Sequence, residues 1–188
     1  MKTMFCGCVA AAALVGVVQA EPVADSVAEF SGVQGQDGWW YGYAINSACT
    51  CDYVQADFTP FPSEWYGGAW DWPNGNPPWT ALGDTGGHPN ANPYHFAIRR
   101  WESDYTGFVR IEGRFAKSGG NCGDGVGGHI VQNDTTIYGR QWIRPADQVG
   151  VSYVTYAALT EGDQVDFILD PRGDKAASPT HFCDSATL

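Results

Sequence analysis

Residues 107–115 have the sequence GFVRIEGRF, and this stretch decides the fold class. Apolar and charged side chains alternate along it with a period of two. This pattern predicts a β-strand with one face in a core and the other in solvent. The inward set is Val109, Ile111 and Phe115, and the outward set is Arg110, Glu112 and Arg114.

Similar segments lie on both sides of this strand. Aromatic and β-branched residues, broken by Gly, Pro, Asn and Asp, predict short strands joined by turns. Asn133-Asp134 predicts a hairpin turn between two of them. Many short strands without helices predict an all-β, two-sheet β-sandwich of the jelly-roll type. The predicted strands are 27–33, 39–45, 53–58, 94–101, 107–115, 126–132, 136–143, 150–157, 164–170 and 180–183.

Residues 59–93 follow neither period. They contain many of the prolines, several glycines and asparagines, and four tryptophans. A stretch of this length without secondary structure is typically functional or disordered. The tryptophans favour order, because disordered segments contain few aromatic residues. We therefore expect a long, packed, Trp-rich loop.

The N-terminal twenty residues resemble an export signal in layout. Lys2 precedes an apolar run over 4–18, and the small or aliphatic residues of 18–20 offer a cleavage site before a polar stretch. This layout predicts a secretory signal, 1–20, that is removed. The run is too short for a comfortable membrane span. Residues 21–188 then have the length of a single domain.

Charge and hydropathy restrict the partners of this domain. The formal net charge of the chain is −11. Such a surface repels nucleic acid and anionic membranes. The negative charge leads us to expect no nucleic-acid partner. The sequence has no second long apolar run, so we also expect no membrane span. The expected location is extracellular, either secreted or at the cell surface.

Four cysteines remain after removal of the signal: Cys49, Cys51, Cys122 and Cys183. An even number in an exported chain predicts a disulfide framework. A bridge between Cys49 and Cys51 would close a strained ring, so we expect each to pair with a distant partner. Which of them takes Cys122 and which takes Cys183 stays open. A Cys-x-Cys metal or redox site and a bridge between subunits are the alternatives.

The aromatic residues of the Trp-rich loop are the strongest functional signal. Sugar rings stack their C–H faces on flat aromatic side chains, while Asn and Asp bond the hydroxyls. The alternative is that these residues fill the core or cover a sheet edge. The predicted carbohydrate-binding residues are Trp65, Tyr66, Trp70, Trp72 and Trp79.

Other candidate chemistry is weaker. Asp124, Asp163 and Asp170 lie in acidic loops that could hold a structural calcium ion, although a solvated loop is the simpler interpretation. The triplet 84–86, Asp-Thr-Gly, occurs once, whereas aspartic protease chemistry needs two carboxylates, so it predicts a turn. The four histidines lack metal-ligand spacing. We expect a non-enzymatic protein with no cofactor beyond possible calcium.

Residues 30–43, FSGVQGQDGWWYGY, carry a family resemblance. They resemble the opening of modules in secreted proteins of environmental bacteria, modules that look like carbohydrate-binding-module jelly rolls. Stretches 79–89, 97–101, 123–126 and 162–167 follow the same pattern in order. The resemblance implies a β-sandwich and an extracellular role beside polysaccharide, but no set of binding residues. The four cysteines and the longer Trp-rich loop depart from the pattern.

Two functions follow from these features. The first is an extracellular module that binds polysaccharide or glycan through exposed aromatics. The second is a structural subunit that self-assembles into an extracellular fibre, a pilus-like filament or a surface layer. In the second case the N-terminal segment would pair with the sheet edge of a neighbouring copy. The predicted strand-exchange or interface residues are Val27, Phe30, Trp39 and Trp40.

Overall fold

The computed structural model describes residues 22–45, 53–63, 65–73, 77–91, 94–173 and 183–188. Two antiparallel seven-stranded sheets face each other, which confirms the predicted all-β, two-sheet sandwich. The proposed signal, 1–20, and Cys49 and Cys51 lie outside the described residues. Within those ranges, helices of the length and apolarity needed to cross a membrane do not occur.

The described chain forms fourteen strands, numbered here in sequence order. Sheet 1 has the order β11-β10-β13-β8-β1-β2, with β7 also paired to β8. Sheet 2 has the order β12-β9-β14-β6-β5-β4-β3. The bounds are β1 Trp39–Ile45, β2 Thr59–Pro60, β3 Trp65–Tyr66, β4 Ala69–Asp71, β5 Ala81–Leu82, β6 Gly86–His88, β7 Asn90–Ala91, β8 Tyr94–Glu102, β9 Gly107–Lys117, β10 Val126–Gln132, β11 Thr135–Ile143, β12 Val151–Leu159, β13 Gln164–Asp170 and β14 Ala186–Thr187.

The main core lies between the two sheets. Alternate residues of each long strand enter it, including Tyr41 of β1 and Phe115 of β9, both fully buried. At one point the sheets approach so closely that Gly128 of β10 must lack a side chain, because a Cβ there would lie 2.5 Å from the ring of Phe115. The alternation predicted for 107–115 is confirmed, with its charged residues exposed.

The long strands agree with the sequence prediction. β1, β10 and β13 have the predicted bounds, and β8, β9, β11 and β12 differ from theirs by at most two residues at either end. The hairpin turn at Asn133 and Asp134 is also confirmed, with φ values of 45° and 63°. Two consecutive positive φ values are those of a type I′ turn, which matches the twist of the flanking strands.

Two predicted strands are wrong. Residues 27–33 begin in a turn, because the carboxylate of Asp25 accepts hydrogen bonds from the amides of Val27 and Ala28. A local side-chain bond of this kind competes with strand pairing. Within 53–58 the chain forms a single 3-10 turn, Gln55–Asp57, that lies over sheet 1.

The Trp-rich segment is ordered, as expected, but it is not a loop. It contributes β2 to β7, and β3 to β6 make up more than half of the strands of sheet 2. Each of these strands has two or three residues. Strands so short show no recognisable period, which is why the sequence pattern concealed them.

The second sheet depends on a strand near the C-terminal end of the sequence. β14 pairs with β9 on one side and with β6 on the other, so it joins the two halves of sheet 2. Gly86 permits this approach, because a Cβ there would lie 2.1 Å from the carbonyl oxygen of Ala186. Of the predicted strand 180–183, residues 180–182 lie outside the described residues, and Cys183 precedes β14 without belonging to it.

The observed disulfide corrects the predicted pairing. Cys122 bonds Cys183, with their Cα atoms 5.7 Å apart. Neither is therefore available to Cys49 or Cys51. The cause is β14, which brings Cys183 beside the loop that follows β9.

The outer face of sheet 1 carries a smaller apolar cluster, formed by Ala44, Phe96, Ile98, Val131 and Ile168. Tyr53 and Phe58 pack over it from the segment that contains the 3-10 turn. Beside this cluster, the buried carboxylate of Asp166 accepts hydrogen bonds from Tyr53 Oη at 2.6 Å and Arg100 Nε at 2.7 Å. Sheet 1 is thus covered on both faces in this region.

Candidate functional site

The predicted sugar platform does not assemble as expected, because two of its five members pack inside the protein. Trp70 is 3% exposed, stacks on Tyr41 with ring centroids 5.9 Å apart, and donates from Nε1 to the carbonyl of Ser31. Trp72 is half-buried against the rings of Tyr43 and His95. Trp70 is therefore a core residue rather than a surface for sugars.

The other three members of the predicted platform are exposed to different degrees. Trp65 pairs directly across from Trp70, so both point to the same face, and its ring also packs on Phe30. Tyr66 points the opposite way and is 83% exposed. Trp79 is 48% exposed and precedes β5. The period of two in strands explains why neighbours in this segment have different surroundings.

The four predicted interface residues do not share one surface. Trp39 lies in the core and Phe30 packs edge-on against Tyr41, so neither forms an outer surface. Val27 is exposed in the N-terminal turn. Trp40 follows Trp39 on β1 and lies on the opposite face, where it is half-buried.

The three predicted calcium ligands do not converge. Asp163 lies in the turn between β12 and β13. Asp170 is fully buried and bonds the guanidinium groups of Arg140 and Arg172. Asp124 is buried in the loop before β10. Across the described ranges, a cluster of three or more His, Cys, Asp or Glu side chains suited to a metal ion is not found.

An open cleft of about 730 Å³ lies at one end of the sandwich, which the sequence did not single out. It forms where the turn before β1, the end of β8 and the β12–β13 turn meet. The indole of Trp40 lines it together with hydroxyl and carboxylate side chains. These polar residues are Glu102, Ser103, Asp104, Thr106, Thr160 and Glu161.

The position of Trp40 depends on the turn that precedes β1. Gly35 has a φ of 78° and lies against the indole, since a Cβ there would be 2.9 Å from Cζ2. Any other residue would be strained at this φ and would collide with the ring. The QGQDGWW stretch thus places one aromatic ring at the edge of the cleft.

Hydrogen bonds hold the opposite wall of the cleft. The amide of Gly162 donates to the carbonyl of Ser103 at 2.7 Å, and the amide of Glu161 donates to Thr106 Oγ1 at 3.0 Å. Hydrogen bonds from the amide of Thr160 and the side chain of Asn133 hold the pKa of Asp163 below its usual value. A wall fixed in this way loses little conformational entropy when a ligand binds.

The charge of the cleft is negative. Glu102, Asp104 and Glu161 are exposed around it, and its lining carries no Lys or Arg side chain. Combined with a chain net charge of −11, this lining disfavours anionic ligands. Carboxylates accept hydrogen bonds, so the cleft favours ligands rich in hydroxyl donors.

A second exposed surface lies on the outer face of sheet 2. Phe108 of β9 is 71% exposed and Tyr156 of β12 is 55% exposed, and their rings stack with centroids 5.8 Å apart. Val154 is exposed on the same face of β12. Phe108 occupies an outward position in the stretch 107–115, so its exposure could have been inferred from the alternation.

Comparison with protein-family models, curated proteins and solved structures found no match for this chain.

Proposed function

We propose that this domain is an extracellular, non-catalytic module that binds a neutral polysaccharide or glycan in the cleft beside Trp40. The observation that carries the proposal is the combination, in one open cleft, of an aromatic ring with hydroxyl and carboxylate groups. Sugar rings stack on such an indole, and their hydroxyls donate to carboxylates. The resemblance of residues 30–43 to secreted carbohydrate-binding-like modules supports the same function.

The negative charge of the cleft favours neutral glycans over anionic ones. Uronic acids and sulfated sugars would bring negative charge beside Glu102, Asp104 and Glu161 and would be repelled. A neutral glycan avoids this cost. The proposal assigns these carboxylates to hydrogen bonding rather than to acid–base catalysis, so incubation with a bound polysaccharide is expected to release no shortened products.

The test is a binding assay with a matched control. Neutral polysaccharides and an anionic polysaccharide are titrated against the protein while tryptophan fluorescence is recorded. We expect Trp40→Ala to weaken binding of the neutral ligand at least about tenfold, which corresponds to about 1.4 kcal/mol. Tyr66→Ala removes an exposed aromatic outside the cleft and should leave the affinity unchanged. Equal losses in both variants, or preferential binding of the anionic polymer, would contradict the proposal.

Self-assembly is the second candidate function, and the exposed face of Phe108, Tyr156 and Val154 favours it. Stacked, exposed rings on a flat sheet face resemble the apolar centre of an interface between subunits. We expect the double change Phe108→Ser and Tyr156→Ser to abolish any oligomer or fibre seen by light scattering and negative-stain microscopy. Glycan binding in the cleft should survive this change, which separates the two functions.

A further inference from the structure

A buried lysine and a buried aspartate meet where β9 ends and the segment before β14 begins. The side chains of Lys117 and Asp184 are both 0% exposed, and Lys117 Nζ lies 3.7 Å from Asp184 Oδ1. Lys117 Nζ also donates a hydrogen bond to the carbonyl of Cys183. The pair therefore lies beside the disulfide, on the strand pairing that joins the two halves of sheet 2.

The surroundings of this pair disfavour charge. Within the described part of the chain, neither carboxyl oxygen of Asp184 accepts a hydrogen bond. A buried carboxylate without such bonds is costly, so the protonated acid is preferred. Burial raises the pKa of Asp184 to about 8, with the nearby charge of Lys117 acting to lower it and that of Asp124 acting to raise it. Burial also lowers the pKa of Lys117, so its amine loses a proton at a lower pH than an exposed lysine does.

From the enclosed contact between these two groups, we propose that Lys117 and Asp184 form an intramolecular isopeptide bond. The lone pair of Lys117 Nζ attacks Cγ of the protonated carboxyl group of Asp184. A nitrogen–carbon bond forms, the bond from Cγ to the hydroxyl oxygen breaks, and one water molecule leaves with a proton from the amine. Amine and acid condense without oxidation or reduction, so the step needs no co-reactant.

In this proposal, Asp124 transfers the proton from the amine of Lys117 to the departing hydroxyl group. The disulfide between Cys122 and Cys183 brings Asp124, two residues after Cys122, to the same part of the protein as Asp184, the residue after Cys183. Asp124 is buried there, and its charge acts to raise the pKa of both Lys117 and Asp184. A carboxylate in this position can accept a proton from the amine and return it to the departing hydroxyl group. The three residues together thus contain a nucleophile, an electrophile and a proton carrier.

The bond would strengthen the weakest part of sheet 2. β14 has two residues, yet it connects β9 to β6. Asp184 lies two residues before β14, and Lys117 is the last residue of β9 and pairs with Ala186. A covalent link between them would hold β14 in register even when its hydrogen bonds open.

Intact-mass measurement of the folded, mature protein after reduction and denaturation tests the proposal. The measured mass of the wild type is expected to be lower than the mass calculated from its sequence by the mass of one water molecule. A digest should contain a branched peptide that joins Lys117 to Asp184, and trypsin should not cleave after Lys117. The mature chain from residue 21 has two lysines, so Lys175→Arg is the matched control and should keep the loss of water.

Different variants test the formation of the bond and the role of Asp124 in proton transfer. Lys117→Arg and Asp184→Ala should have the full sequence mass, whereas Asp124→Asn should acquire the bond at least tenfold more slowly. A folded wild type with full mass and a cleavable Lys117 would overturn the proposal. Loss of water located in a linear peptide, as in a succinimide, would overturn it as well. Bond formation in Asp124→Asn at the wild-type rate would overturn the role of Asp124.

Discussion

Arg99 is a buried cation in the core, and backbone oxygens accept hydrogen bonds from the two terminal nitrogens of its guanidinium group. Its guanidinium donates to the carbonyl of Ser26 at 3.0 Å, to that of Gly83 at 2.7 Å and to that of Asp84 at 2.8 Å. Burial lowers its pKa to about 10, so it stays charged at neutral pH. This single side chain fastens the N-terminal turn and the β5–β6 turn to β8.

We expect Arg99→Lys to destabilise the protein by about 2–4 kcal/mol. An ammonium group cannot reproduce the planar fork of three bonds, and carbonyls left unpaired in the core are costly. Urea unfolding followed by tryptophan fluorescence measures the change. Arg114→Lys, on the exposed face of β9, is the control and should stay within about 0.5 kcal/mol of the wild type. Equal stabilities of the two variants would contradict this role of Arg99.

Two buried histidines make stability depend on pH. Burial lowers the pKa of His95 and of His129 to about 4, whereas an unfolded histidine titrates near pH 6.5. Between these values the unfolded chain binds protons that the folded protein does not, so the free energy of unfolding falls as the pH drops. Each histidine contributes a slope of up to about 1.4 kcal/mol per pH unit.

We expect His129→Gln to reduce this slope between about pH 6.5 and pH 5, a window above most carboxyl titrations. Urea unfolding at several pH values in the window measures it. Arg114→Lys, an exposed change that leaves every histidine in place, is the control and should keep the wild-type slope. A His129→Gln slope equal to that of the wild type would show that His129 does not titrate on unfolding.

At the scale of elements, the segment around the 3-10 turn Gln55–Asp57 is held to sheet 1 by one buried carboxylate. Asp166 accepts hydrogen bonds from Arg100, from Tyr53 Oη and from Gln55 Nε2, the last at 3.0 Å. The guanidinium of Arg100 also lies over the ring of Phe58. A predicted strand is thus replaced by a turn whose position is set by side chains distant in sequence.

We expect Asp166→Ala to cost about 3–5 kcal/mol, because it leaves Arg100 buried without its counter-charge. Tyr53→Phe removes one hydrogen bond from the same carboxylate and should cost about 1 kcal/mol. Glu112→Ala, which breaks an exposed ion pair with Arg110, should have the smallest effect of the three. Thermal unfolding of the three variants measures the order, and a different order would contradict the anchoring role of Asp166.

The length of each strand decides whether the sequence could predict it. Strands such as β1, β10 and β13 have seven residues each, enough for the sequence pattern to give their bounds. β14 has two residues, and its partners β6 and β9 are distant in sequence, so no local pattern marks it as a strand. β3 also has two residues and pairs with the neighbouring β4, but a strand so short shows no period. The cleft was hidden for a related reason. Trp40 and Glu161 both line it because the start of β1 lies near the β12–β13 turn, and a local sequence pattern cannot reveal a contact between segments so far apart.

At the scale of the whole molecule, two cross-links would close nearly the same loop. The disulfide joins residues 61 positions apart, for which chain entropy predicts about 4 kcal/mol of stabilisation. The loop closed by an isopeptide bond between Lys117 and Asp184 would contain the whole disulfide loop and only a few residues more. The two contributions would therefore not add.

We expect the double change Cys122→Ser and Cys183→Ser to cost about 1 kcal/mol in the wild type and about 4 kcal/mol in a Lys117→Arg background. Unfolding in guanidinium chloride provides the four stabilities of this cycle. Equal costs in both backgrounds would indicate that the disulfide acts alone. The cycle therefore gives a thermodynamic readout that is independent of mass measurement.

The place of β14 in sheet 2 also has a consequence for the order of events during synthesis. A ribosome must release residues 186–187 before β9 and β6 can be joined, so the sandwich cannot close while earlier parts of the chain are still being made. Contacts between residues so distant in sequence form slowly. Until residues 186–187 are available, β9 and β6 have no common partner, so sheet 2 stays in two parts and the core between the sheets stays accessible to solvent.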